Sequence, residues 1–308
     1  MKRLRNAGTH AGTQRRSRIP QALHAGYDAR MPISVITGAT SGIGRWIALG
    51  LARAGHRVVM IVRDQARGEA AAAWIRAHVP DARIDILLAD LSSLAQTRRV
   101  GSAILQSWGA VDVLVNNAGI FSPHRTVTTE GLETVIAVNH LSPFVLTASL
   151  LPALRAAKAA RIVNIGSSTA DRARIDPADL QGERRWGMVQ AYGQSKLALT
   201  MATMAWARRL HGGPVVANVV HPGAVATGLV RAGGPIGLAW RIMAPFLLTP
   251  AAGADTPLHV ALAPEFAALS GAYVKKRQIV RPNPLALDPN LVEQLWDATE
   301  ALAGPVVF

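Results

Sequence analysis

The feature that most narrows what this chain can fold into is a glycine-rich junction near its start. Ile33-Ser-Val-Ile36 is a short, mostly apolar and β-branched run, which reads as a buried strand. It leads directly into Thr37-Gly-Ala-Thr-Ser-Gly-Ile-Gly44, and Arg45 to Ala54 then carries helical periodicity, apolar at Trp46, Ile47, Leu49 and Leu51. Glycine at such a junction lets the backbone take positive φ and lets a ligand come close. The helix that follows offers unpaired N–H groups and a positive dipole end to an anion. Strand, glycine turn and helix together form a cradle for a pyrophosphate. The spacing is G-x-x-x-G-x-G rather than the commoner G-x-G-x-x-G.

The remainder of the chain repeats strand and helix. Strands are predicted at Arg57–Val62, Arg83–Ala89, Val111–Val115, Arg161–Ile165 and Pro214–Val220, with a short seventh at Ala272–Val274. Helices are predicted at Arg67–His78, Ser92–Trp108 (capped at Ser92 or Ser93), Thr128–Leu154, Gln190–Leu210, Ala251–Ala263 and Asn290–Leu302. Near-continuous apolar strands alternating with helices predict an α/β fold, a doubly wound Rossmann-type parallel sheet of about seven strands with helices on both faces. A length of 308 residues with 50% apolar content suffices for one large core, expected over residues 32–308. No run of about 18 uninterrupted apolar residues marks a membrane span.

The formal net charge is +14, of which +6 falls in residues 1–31, a basic segment without apolar periodicity. That segment reads as a disordered tail rather than a nucleic-acid-binding arm, so no specific nucleic-acid partner is expected. The chain has no cysteine, which removes disulfides and thiolate metal sites and makes a reducing, cytoplasmic setting the expectation. His124, His140 and His221 are scattered without ligand spacing, so no metal is expected.

In sheets of this kind, ligands bind beyond the carboxyl ends of the strands. After the second strand come Arg63 and Asp64. An acidic side chain there would hold a ribose 2′-hydroxyl and an arginine a 2′-phosphate, which favours NADP(H) over NAD(H) as cofactor. Asp90-Leu91 follows the third strand, placed for an adenine amino group or an ordinary turn, and Asn116-Asn-Ala-Gly119 follows the fourth. Gly166-Ser-Ser168 follows the fifth. Farther on, Tyr192 and Lys196 stand four apart on one helical face. An ammonium near a phenol favours phenolate, so the Tyr192 pKa is expected below its ordinary value. A tyrosine so tuned can give or take an alcohol proton, and Ser167 would donate to a carbonyl oxygen as charge grows on it.

These motifs, T-G-x-x-x-G-x-G, N-N-A-G and Y-x-x-x-K, resemble those of the short-chain dehydrogenase/reductases, and more closely the retinol dehydrogenase-like branch. The resemblance spans Pro32 to roughly Leu302. It implies an oxidoreductase that interconverts a hydroxyl and a carbonyl group on an apolar molecule. Val138-Asn-His-Leu-Ser-Pro-Phe144 is similar to the helix carrying the family's catalytic asparagine, which implies that Asn139 helps hold a water in a proton relay from Lys196. The catalytic group is then Asn139, Ser167, Tyr192 and Lys196. The cofactor would meet Gly38, Thr40, Ser41, Gly42, Ile43, Gly44, Arg63, Asp90, Leu91, Asn117, Ala118, Gly119, Tyr192 and Lys196. His221-Pro-Gly-Ala-Val-Ala-Thr227 matches the element after the sixth strand, adding Pro222, Gly223, Val225 and Thr227.

Ser167 and Tyr192 are 25 positions apart, wider than in most of the family. The intervening Asp179-Leu-Gln-Gly-Glu183 is similar to an insertion in the retinol dehydrogenase-like branch. Ser168 is an alternative to Ser167. Residues 228–249 correspond to the family's substrate lid, where Leu238, Trp240, Ile242, Met243, Phe246 and Leu247 could wall a lipophilic pocket or pack as core. Arg231 and Arg241 beside these apolar faces leave membrane-surface contact as an alternative. The last helix could dock on the domain, finish the pocket or meet a second subunit as a homo-oligomer.

Overall fold

The computed structural model describes residues 31–225 and 247–308. The basic tail, Thr227, Leu238, Trp240, Ile242, Met243 and Phe246 lie outside the described residues.

The apolar runs form strands: β1 (Ile33–Thr37), β2 (Arg57–Val62), β3 (Ile84–Leu88), β4 (Val113–Asn116), β5 (Ala160–Ile165), β6 (Val215–His221), β7 (Tyr273–Lys275) and β8 (Gln278–Val280). They make one sheet in the order β3-β2-β1-β4-β5-β6-β7-β8, parallel up to β7. β8 is the eighth strand, absent from the sequence reading, and pairs antiparallel with β7. The loop joining them is Lys276-Arg277, both at positive φ, in place of the Asn-Gly or Asp-Gly pair that usually marks a two-residue hairpin.

Successive strand residues point to opposite faces, and each face meets its own helices. Ile33, Val35, Val59 and Ile61 join one core with α3 (Leu94–Trp108), α5 (Ser142–Ala156), α6 (Met188–Arg209) and α8 (Pro289–Ala303). Ile36, Val58, Met60 and Val62 join the other with α1 (Gly42–Arg53), α2 (Gln65–His78) and α7 (Pro250–Leu262). The sheet is thus covered on both sides, as the near-continuous apolar strands require.

The helix expected from Thr128 begins later. Val127 and Glu133 pair in an isolated antiparallel bridge, and the Glu133 carboxylate accepts the Ile136 N–H at 2.8 Å. The helical run starts as α4 (Thr134–Ile136), widens into a π-helical turn at Ala137–Leu141, and continues as α5. Thr134–Ala156 is long and apolar enough to cross a membrane, with a mean hydropathy of 1.5. Its most apolar 18-residue stretch is 83% buried within the fold, which identifies it as a core helix.

Candidate active site

The strand order reverses between β1 and β4, and the glycine turn sits at that switch point. The buried Thr37 hydroxyl accepts from the N–H groups of Asn117 and Ala118 at 3.0 and 2.9 Å. The Asn117 amide donates back to the carbonyls of Thr37 and Gly38 at 2.9 and 3.1 Å. Asn117 therefore braces the two strand ends together. Gly38 has φ +68°, and a Cβ there would lie 2.9 Å from the Ala118 Cα. A Cβ on Gly44 would lie 2.3 Å from the Gly38 carbonyl oxygen, so this glycine lets α1 seat on the turn.

Ser41 occupies the N-cap of α1 in an extended conformation but makes no side-chain capping bond, and the first turn carries no acidic residue. The leading N–H groups of α1 are therefore not taken up by a cap, which suits a diphosphate. Thr40, Gly42 and Ile43 share this turn.

Arg63 is exposed immediately after β2. Its neighbour Asp64 caps α2, accepting the Arg67 N–H at 2.8 Å. Of the two, only the aspartate is engaged by its own helix. Asp90 is used partly by its own turn, accepting from the Ser92 N–H and hydroxyl at 2.9 and 2.8 Å, and Leu91 packs on the core. Beyond β6, Pro222 and Gly223 turn toward Val225, which bridges to Leu248. These residues fit a dinucleotide laid across the carboxyl ends of β1, β2, β4 and β6.

The reactive end assembles from β5, the π turn and α6. Lys196 is buried and donates to the Ile165 carbonyl at 2.8 Å. Burial lowers its pKa to about 8. Asn139 is fully buried: its Oδ1 accepts the Ile120 N–H at 2.8 Å, and its Nδ2 donates to the Ile120 carbonyl and to the Ser195 hydroxyl at 2.9 and 3.0 Å. Ser195 in turn donates to the Tyr192 carbonyl at 2.8 Å. The Asn139 amide is thus a brace between the chain after β4 and the helix bearing Tyr192. Gly119 links the two ends, since a Cβ there would lie 3.3 Å from Asn139 Oδ1 and 3.4 Å from Lys196 Nζ.

Tyr192 is buried, and Ser167 rather than Ser168 is the serine that acts on its pKa. Its pKa corrects the sequence expectation. Burial raises it, and the Ser167 bond only partly offsets that. The Lys196 ammonium is committed to Ile165 and stands 6.0 Å from the phenol ring centroid, so desolvation outweighs its field. The phenol is accordingly protonated at neutral pH.

Several contributors carried no local sequence signal. Phe121 packs edge-on against Tyr192 with ring centroids 5.2 Å apart. Thr169 bonds Ser167, and Asp171, one residue past Ala170, accepts from the Tyr273 hydroxyl at 2.7 Å and from Lys275. The insertion closes over Glu133: Gln181 Oε1 accepts its N–H at 3.0 Å, and Trp186 Nε1 donates to its carboxylate at 3.3 Å. His140, fully buried in the π turn, pairs through Nε2 with the Thr299 hydroxyl on α8 at 2.8 Å. Thr299 spends its own proton on the Leu295 carbonyl, so the imidazole proton lies on Nε2. Burial lowers the His140 pKa to about 3. Among the described residues no group of three His, Asp or Glu side chains could hold a metal ion.

A glycine turn at the switch point of a doubly wound sheet, facing a serine–tyrosine–lysine group across the strand ends, defines a dinucleotide-binding oxidoreductase. Residues 32–234 match the short chain dehydrogenase family, and the chain belongs to that family, in its retinol dehydrogenase-like branch. It is 38% identical over 272 residues to retinol dehydrogenase 12 of Mus musculus, covering 88% of this chain and 86% of that protein. Polyprenol dehydrogenase of Mus musculus is 38% identical over 280 residues, covering 88% and 84%. Among solved structures, a short chain dehydrogenase from Burkholderia cenocepacia J2315 in complex with NADP superposes with a TM-score of 0.65 at 26% identity, covering 79% of this chain and 95% of that one. Membership makes the protein an NAD(P)-dependent oxidoreductase working between hydroxyl and carbonyl groups.

Proposed function

We propose that this protein is an NADP(H)-dependent reductase of carbonyl groups on lipophilic molecules, with Tyr192 as general acid. The observation that carries the reading is the Tyr192 phenol, buried and kept protonated by that burial, one helical turn from the buried Lys196. The nicotinamide cofactor, when bound, supplies the hydride. Ser167 donates its hydroxyl proton to the substrate carbonyl oxygen and stabilises the charge that grows there. Tyr192 gives up its phenolic proton to the same oxygen as it becomes an alkoxide. Lys196 favours the phenolate left behind.

A phenol kept protonated by burial is a proton donor at rest, which supports reduction over oxidation as the working direction. Arg63, exposed where Asp64 is committed to capping, supports a 2′-phosphate and hence NADP(H). Relatives named for retinol and polyprenol support an apolar substrate. The absence of cysteine supports a cytoplasmic setting.

The test is loss of reduced-nucleotide absorbance with decanal and with all-trans-retinaldehyde, comparing the unaltered chain with Tyr192→Phe. Turnover is expected to fall about 10²–10⁴-fold in the variant while NADPH affinity is retained. A variant as fast as the unaltered chain would remove Tyr192 from the mechanism.

A further inference from the structure

We propose that Thr169 is a positioning residue that fixes Ser167 as a hydrogen-bond donor. The inference rests on the reading of Ser167 given above. The Ser167 Oγ accepts two bonds from Thr169, one from its N–H at 3.3 Å and one from its hydroxyl at 3.0 Å. A serine hydroxyl has two lone pairs and one proton. With both lone pairs engaged by Thr169, only the O–H is left, and it points away from Thr169. Ser167 is also the serine that acts on the Tyr192 phenol, lowering its pKa against the effect of burial.

The local need is smaller than the observed arrangement. Capping the short 3₁₀ turn Ser168–Arg172 requires only the backbone N–H of Thr169. The Thr169 hydroxyl adds nothing to that cap, and the side chain is exposed. Without it, Ser167 would keep one open lone pair and could accept the Tyr192 proton instead of offering its own to a carbonyl. Accepting a second bond also polarises a hydroxyl and makes it a stronger donor.

The turn that carries Thr169 is itself held from outside. Asn283 donates to the carbonyls of Ala170 and Ala173 at 2.8 and 2.9 Å. Tyr273 bonds the Asp171 carboxylate at 2.7 Å and reaches the Ser167 carbonyl at 3.4 Å. Thr169 is therefore presented from a fixed frame.

The experiment compares Thr169→Val, Thr169→Ala, Thr169→Ser and Ser167→Ala in the full chain, with NADPH and either decanal or all-trans-retinaldehyde. Thr169→Val and Thr169→Ala should each lower kcat about three- to ten-fold, with KM, NADPH affinity and thermal midpoint unchanged. Thr169→Ser should restore the rate. The inference is overturned if both hydroxyl-free variants keep the original kcat, or if Thr169→Ser is as slow as they are. A Ser167→Ala variant that turns over normally would instead overturn the role of Ser167 itself, as would an unaltered chain that reduces neither aldehyde. Loss of turnover in Ser167→Ala beside normal Thr169 variants would overturn this inference alone.

Discussion

Two turns leave the same edge of the sheet, one after β1 and one after β5, and both lead into a helical segment. They finish differently. At the first, Ser41 holds the N-cap position yet leaves its helix uncapped, and the turn is shaped by glycine backbone against Asn117 and Thr37. At the second, Ser167 caps its own 3₁₀ turn and is bonded by the Thr169 side chain. An uncapped helix start presents N–H groups, which suit a fixed anion. A capped one has used its N–H and presents the proton of the capping hydroxyl, which suits an oxygen whose charge changes during reaction. One motif, finished in two ways, separates holding from chemistry.

The sharpest way to break this contrast is to damage each turn alone. Ser167→Ala should leave NADPH affinity and thermal midpoint intact and cut kcat about 10²–10³-fold. Gly44→Ala forces a Cβ to within 2.3 Å of the Gly38 carbonyl oxygen, so it should lower stability by about 1–3 kcal/mol and weaken NADPH binding together. Matching losses from both variants would dissolve the distinction.

Acid should also find the reactive side first. His140 is neutral in the fold, with its pKa lowered to about 3, while in the unfolded chain it protonates near the ordinary value of 6.5. The unfolded state therefore binds the extra proton between those values. The stabilisation is complete above about pH 6.5 and is lost as pH falls toward 3, on the order of several kcal/mol in all. Urea unfolding across pH 7 to 4 should give a shallower slope for His140→Gln than for the unaltered chain; equal slopes would discount the buried imidazole.

The smallest expected effect is at the nucleotide end. Arg63→Ala should weaken NADPH about 10–100-fold and leave NADH nearly unchanged, read by nucleotide fluorescence titration. Equal losses for both would place Arg63 outside the 2′-phosphate site.

How much of this was written locally follows from the same contrast. The nucleotide end is a run of neighbours: the strand, the glycines and the Asn116-Asn-Ala-Gly119 turn are each readable in place, and seven of the strands fall where their apolar runs predict. The reactive end draws on distant segments. Tyr273 and Lys275 meet Asp171 across about a hundred residues, and nothing near Gly166-Ser-Ser168 announces them. β8 escaped because its hairpin turns on lysine and arginine at positive φ, a choice that carries no turn signal. The π turn escaped because its residues, Ala137 to Leu141, have ordinary helical composition. The Tyr192 pKa was misread because spacing along a helix reveals a neighbour's charge but not how deeply both groups are buried.

The contact between His140 and Thr299 spans 159 residues and joins the middle of the chain to its final helix. During synthesis the strands and earlier helices leave the ribosome well before α8 does, and a growing domain settles from its N-terminal side. Until the last stretch emerges, the imidazole beside Asn139 has no partner, and Phe144 and Trp206 lack Trp296 against them. The π turn that carries Asn139 is therefore fully packed only once α8 has docked on it.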